Sequence, residues 1–121
     1  MTSESFYEVN RMSKDDIYKI IYVILQELYE ARKAGTLVNL DDISPERFQI
    51  NEGYYASILI DLIDEGYVRG VGYRKTKTGI VITNLKDIDI TLNGIDYLKN
   101  NSAMKKVFEA LKAIKDIAPG V

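Results

Sequence analysis

Three features of the sequence predict an α+β fold of the winged helix-turn-helix class, with a three-helix core, a β-hairpin wing and a C-terminal helical extension. Apolar residues recur at helical spacing up to residue 65, the period then changes from 3.6 to two, and the helical period returns after residue 91. The order helix, extended piece, short helix, helix, hairpin is that of the winged helix-turn-helix. Residues 1–12 show no period and are expected to form a flexible N-terminal arm. Residues 13–121 are then a single winged-helix domain, with residues 92–118 as its C-terminal helices.

The first helix is predicted over residues 14–33. Ser13 supplies a cap oxygen and Asp16 stands three residues on, an approximate capping box. Ile17, Ile21, Ile24 and Leu28 form one stripe, and Gly35 stops the helix. A second stripe, Tyr18, Tyr22, Leu25 and Tyr29, widens the apolar arc to roughly 200 degrees at 3.6 residues per turn. Either another helix of the same chain covers the tyrosine side, or that side is a subunit interface with its hydroxyls at the wet edge.

LVNLDDI, residues 37–43, reads as a short edge strand or an extended linker. SPERF opens a short helix, with Ser44 as cap, Pro45 at the first helical position and Glu46 near the positive end of the dipole. Asn51 caps the next helix, in which Tyr55, Ile58, Leu59 and Leu62 point inward, and Gly66 provides the left-handed exit. A strand is expected from Tyr67 to Arg74, a tip at KTKTG (75–79) and a returning strand over IVIT (80–83). A short extended piece, Ile88 to Thr91, leads to a helix capped by Thr91 with Leu92, Ile95 and Leu98 inward. Ser102 is expected to cap a last helix carrying Met104, Val107, Phe108, Leu111 and Ile114, ended by Pro119 and Gly120.

The residues SPERFQINEGYYASILIDLIDEGYVRGV followed by ITLNGIDYLKNNSAMKK resemble the YjcQ family of small proteins from Gram-positive bacteria and their phages. The most specific pieces are Asp64-Glu65-Gly66-Tyr67-Val68 and Ile90-Thr91-Leu92-Asn93-Gly94 with Tyr97-Leu98. The resemblance implies a winged helix with a C-terminal helical extension and a bacterial or prophage origin, and it implies no biochemical role. Its members begin near the position of Met12, so the first eleven residues depart from the pattern.

Composition removes most chemistries. Without histidine or cysteine there is no thiolate nucleophile, no Ser-His-Asp triad and no Cys/His zinc site. A carboxylate-only mechanism or a hard-metal site stays formally open. The pairs Asp15-Asp16 and Asp41-Asp42 fall at helix and loop starts, where carboxylates favour the dipole or the solvent. Asp87 and Asp89 have the spacing of a weak cation site but lack a third ligand. Gly66, Gly70 and Gly72 lack the spacing of a phosphate loop and precede a hairpin. The chain is therefore read as a non-enzyme with no cofactor, metal or evident small-molecule ligand.

The longest apolar or aromatic run, IIYVIL, has six residues, against the roughly 20 a spanning helix needs. The first eleven residues lack the apolar centre of a secretory signal, and the absence of cysteine fits a reducing compartment. A cytoplasmic location, with no membrane association, is the expectation.

Charge divides the helix-turn-helix from its wing. The net charge of −2 is opposite in sign to that of an ordinary phosphate-binding domain. Asn51 to Glu65 carries four acids and no lysine or arginine, so a groove-reading role for this helix is disfavoured. Residues 67–79 carry Arg69, Arg74, Lys75 and Lys77 and no acid. These four are the nucleic-acid candidates, able to lie along a backbone or enter a minor groove of duplex DNA. The same charges would equally keep a hairpin edge from pairing with a neighbour or complement the acidic helix.

The last helix adds lysines on its polar face and a continuous apolar stripe, for which the tyrosine flank of the first helix is the obvious cover. Tyr18, Tyr22, Leu25, Tyr29, Phe108 and Leu111 are thus the interface candidates, and a homodimer is expected. Two readings stand: a DNA-binding or transcription-associated module whose wing makes the contact, and a protein-interaction or dimerisation module that has given up nucleic acid.

Overall fold

Helix α1 covers Ile17–Ala34 of a computed structural model that describes residues 17–117 and their side chains as far as Ala113. The expected cap at Ser13 with Asp16, the arm and the stop at Pro119 and Gly120 lie outside the described residues. Both stripes of α1 are used: Ile20, Ile24, Leu25 and Leu28 are essentially sealed from solvent. Each such burial stabilises the fold by roughly 1.5–3 kcal/mol relative to exposure. Beyond Gly35 the chain is extended and then turns through a 3-10 turn, Leu40–Ile43, in place of an edge strand. The Asn39 side chain caps that turn through the Asp41 amide, and this local bond competes with strand pairing.

The helix-turn-helix forms as its caps dictate. Ser44 accepts from the Arg47 amide and opens α2, Pro45–Phe48, and Asn51 accepts from the Tyr54 amide at 2.8 Å and opens α3, Glu52–Asp64. Tyr55, Ile58, Leu59 and Leu62 are buried, and the Tyr55 hydroxyl donates to the Ile43 carbonyl, tying α3 to the 3-10 turn. Gly66 leaves α3 with φ +76, its amide donating to Ile63 and that of Tyr67 to Leu62, which closes the helix by a Schellman pair.

The expected continuous strand from Tyr67 to Arg74 is broken into β1, Val68–Arg69, and β2, Gly72–Thr76. Gly70 is the reason. It has φ +79, and a Cβ there would stand 2.2 Å from the Asp87 carbonyl oxygen. The kink lets the two pieces take different partners. β2 pairs with β3, Gly79–Thr83, as the wing, from Gly72 opposite Thr83 to Thr76 opposite Gly79. β1 pairs with β4, Asp89–Ile90, setting Val68 opposite Ile90 and Arg69 opposite Asp89.

Thr91 caps α4, Leu92–Asn100, through the Gly94 amide, and Leu98 is buried. Leu92 corrects the expectation: it is 72% exposed. Steps of three advance the helical angle by 300 degrees, so Leu92, Ile95 and Leu98 precess, and Leu92 lies about 120 degrees from Leu98. The cap of α5, Ser102–Ile117, is also corrected. Asn101, not Ser102, accepts from the Ala103 and Met104 amides. Asn101 has the extended backbone a cap requires, and Ser102 is already the first helical residue.

α4 and α5 pack on α1, and α3 closes the other side through β1 and the wing. The chain is a winged helix with a C-terminal helical extension. Among the described residues no helix is long and apolar enough to cross a membrane.

Candidate nucleic-acid interface and neighbouring surfaces

Alternation along β2 gives the wing two faces. Tyr73 stands opposite Ile82, and both are partly buried. The Tyr73 hydroxyl donates to the Asp64 carboxylate at 2.9 Å and so pins the wing to the end of α3. That bond, with smaller contributions from burial and the charge of Asp64, raises the phenol pKa. Arg74 stands opposite Val81, Lys75 opposite Ile80, and Lys77 lies in the two-residue tip closed by Thr76 Oγ1 donating to the Gly79 carbonyl at 2.8 Å. All three cations are exposed, and none forms an ion pair among the described residues. Val81 and Ile80 beside them are also exposed, at 39% and 42%.

Arg69 does not belong to this group. It lies on β1, before the Gly70 kink, and its Nε and Nη2 both donate to Asp89 Oδ2, at 3.2 and 3.0 Å. The hairpin proper therefore carries three cations, and Asp87 and Asp89 serve the β1–β4 join. Among the described residues no three His, Cys, Asp or Glu side chains are placed to hold a metal. On α3, Glu52, Gly53, Ser57, Asp61, Asp64 and Glu65 are exposed and Tyr54 is partly covered, so its outward surface is acidic as expected.

The interface candidates separate into covered and open ones. Leu25 and Tyr22 are buried within the chain, at 0% and 8% exposure, on the helix against which α4 and α5 pack. Burial, with the charge of Glu30, raises the Tyr22 phenol pKa. Tyr29 is partly buried and carries two cations, with Lys33 Nζ 4.6 Å and Lys99 Nζ 5.1 Å from its ring centre. Phe108 is 49% exposed and Leu111 is partly buried, and together with Tyr22, Val23 and Gln26 they line a groove of about 280 Å³ between α1 and α5. Glu27 and Arg47, 3.5 Å apart, also line it. Burial raises the Glu27 carboxyl pKa against the opposing pull of Arg47, with Asp42 adding to the rise.

Tyr18 belongs elsewhere, 42% exposed at the rim of a second depression. This one is lined by Ile17, Tyr18 and Ile21 of α1, Asp61, Leu62 and Glu65 at the end of α3, and Tyr67 and Tyr97. Sequence reasoning missed it. Tyr67 and Tyr97 stack with ring centres 4.4 Å apart and planes 24° from parallel.

The two stretches singled out as most specific in the sequence meet beneath this depression. The Thr91 amide donates to the Tyr67 carbonyl at 3.0 Å, and Thr91 Oγ1 donates to the Gly66 carbonyl at 2.6 Å. Gly94 packs directly on the Tyr67 carbonyl. The signal in the sequence was the pair of motifs, but nothing local to either showed that they touch.

The model of the YjcQ protein family matches residues 22–117. The chain is 30% identical over 105 residues to the uncharacterised protein YjcQ of Bacillus subtilis (strain 168), an alignment spanning 87% of this chain and 97% of that protein. The comparison with solved structures gives no match. With its helix-turn-helix, its kinked join to the wing and its C-terminal helices running through the matched region, the chain belongs to the YjcQ family.

Proposed function

We propose that this chain is a winged-helix module that contacts duplex DNA through its wing and works as a homodimer. The observation that carries the reading is the hairpin from Gly72 to Thr83, on which Arg74, Lys75 and Lys77 are exposed, unpaired among the described residues and unaccompanied by any acid. The acidic surface of α3 repels phosphate, so the wing leads and lies along a backbone or in a minor groove. The exposed Ile80 and Val81 give it apolar contact with sugar edges. The exposed Phe108 beside the α1–α5 groove supports pairing of two copies, which would present two wings to one duplex.

Fluorescence anisotropy with a labelled duplex tests the reading. Binding is expected at low salt and should weaken with a log–log slope of about −0.9 per phosphate contact, or roughly −2 to −3 for one wing. The triple variant R74A/K75A/K77A should abolish that dependence, whereas K105A/K106A on α5 should preserve it. Absence of binding at low salt, or equal binding by the triple variant, would overturn the proposal.

The acidic α3 favours a second reading, a protein-interaction module without nucleic acid. The same titration separates the two, and light scattering on the wild type and Phe108→Asp tests the dimer.

A further inference from the structure

The depression between α1, α3 and α4 gives a use to Asp61 and Glu65, two of the four acids that disqualify α3 as a groove reader. Three phenol rings and the aliphatic Ile17, Ile21 and Leu62 line it, and Asp61 and Glu65 make its α3 side anionic. Tyr67 and Tyr97 form a stacked pair, Tyr18 stands exposed beside them, and Asp61 and Glu65 are exposed on the α3 side. The groups interact: burial first, then Tyr67, Tyr18 and Glu65, raise the Tyr97 phenol pKa.

The pair is held rigidly. Tyr67 is fixed by the hydrogen bond its amide donates to the Leu62 carbonyl and by the one its own carbonyl accepts from the Thr91 amide, and Tyr97 sits one turn after Gly94, where α4 touches the Tyr67 backbone. Preformed aromatic walls with carboxylates at the edge attract a cation, since the ring face is the negative part of the quadrupole and the carboxylates add direct charge. The depression, about 460 Å³, is open to solvent, which suits a side chain presented by a macromolecule better than a small molecule that must be enclosed. Among protein cations a guanidinium fits best, because its plane stacks on a ring while its fork donates to carboxylates, whereas an ammonium is a compact, strongly hydrated point charge.

We propose that this aromatic–acidic depression is a docking site for an arginine side chain presented by a protein partner. The occupant is set by charge complementarity. It meets a surface distinct from the wing, so one copy can hold the partner while its hairpin engages DNA. The proposal stands independently of the DNA reading.

The test follows the tyrosine ring signals of the full chain by NMR during titration with the capped peptide acetyl-Gly-Arg-Gly-amide, against acetyl-Gly-Gln-Gly-amide and acetyl-Gly-Lys-Gly-amide. The arginine peptide should shift Tyr18, Tyr67 and Tyr97 in a saturable way, the glutamine peptide should not, and the lysine peptide should bind more weakly. The double variant D61N/E65Q, at two exposed positions, should keep the fold and weaken binding roughly 5- to 10-fold, the scale of two exposed charge pairs. R74A/K75A/K77A should bind the peptide as the wild type does. Equal response to the glutamine peptide, equal affinity for the lysine peptide, shifts confined to other tyrosines, or unchanged affinity in D61N/E65Q would each overturn the proposal.

Discussion

Gly94→Ala sets two effects of opposite sign against each other. Gly94 lies inside α4 and is buried, and on helix propensity alone alanine would stabilise it by about 1 kcal/mol. Its Cβ, however, would stand 2.2 Å from the Tyr67 carbonyl oxygen and 2.7 Å from Ile90 Cγ1, where ordinary contact is 3.4–4 Å. The nearest atom is backbone, already held by the Thr91 amide, and cannot swing aside. α4 must therefore retreat by about 1 Å, which stretches the bonds from Thr91 to the Tyr67 and Gly66 carbonyls past useful length.

Two such bonds are worth about 2 kcal/mol together, and the forced packing adds about 1–3 kcal/mol. Less the propensity gain, the variant should be about 2–4 kcal/mol less stable. That corresponds to a fall in Tm of about 8–16 °C at roughly 4 °C per kcal/mol for a chain of this size. Urea and thermal unfolding followed by far-UV circular dichroism measure the difference. A Gly94→Ala protein as stable as the wild type, or more so, would refute the close approach of α4 to the Tyr67 backbone and with it the rigid Tyr67–Tyr97 wall.

Asn101→Ala should cost about 1–2 kcal/mol, since it removes the acceptor for two amides of α5, whereas Ser102→Ala should fall within about 0.5 kcal/mol of the wild type; the reverse order in urea midpoints would restore Ser102 as the cap. Burial, with the charge of Glu46 adding, pushes the Tyr55 phenol from 10.0 up to about 12. A group with a raised folded pKa contributes stability that is full below the unfolded value and lost as pH rises through the folded one. The wild type should therefore lose about 2–3 kcal/mol between pH 10 and 12 from this residue, at roughly 1.4 kcal/mol per unit. Tyr55→Phe should lack that step and, with the Ile43 carbonyl deprived of its donor, should already be about 1–3 kcal/mol less stable at neutral pH. Parallel pH–stability curves for the two proteins would contradict this assignment.

Much of the fold was legible because its signals are short-ranged. Ser44, Asn51 and Thr91 cap the helices they precede, each through an amide three residues on. The stripe Tyr55, Ile58, Leu59 and Leu62 is buried as its spacing demands, and Gly66 takes the left-handed exit. Where two adjacent residues are equally good caps, as at Asn101 and Ser102, propensity has no means of choosing.

The candidate site was legible as charge and not as geometry. The basic composition of the wing and the acidic one of α3 were readable directly. That Arg69 faces Asp89 instead of joining the wing depends on the kink at Gly70, which depends on the Asp87 backbone arriving at 2.2 Å from where a side chain would begin.

The sequence by itself determined the helices, the caps at Ser44, Asn51 and Thr91, the hairpin and the separation of charge between α3 and the wing, because periodicity, capping and composition act over a few residues. Only the tertiary structure decided that β1 pairs with β4, that Leu92 faces out, that Tyr22 and Leu25 are covered within the chain, and that Tyr67 stacks on Tyr97 above an acidic rim. Each of these is a contact between segments 20 or more residues apart, or the exposure that such contacts leave. Contacts of that range follow from how the helices close on one another, and no local pattern encodes them.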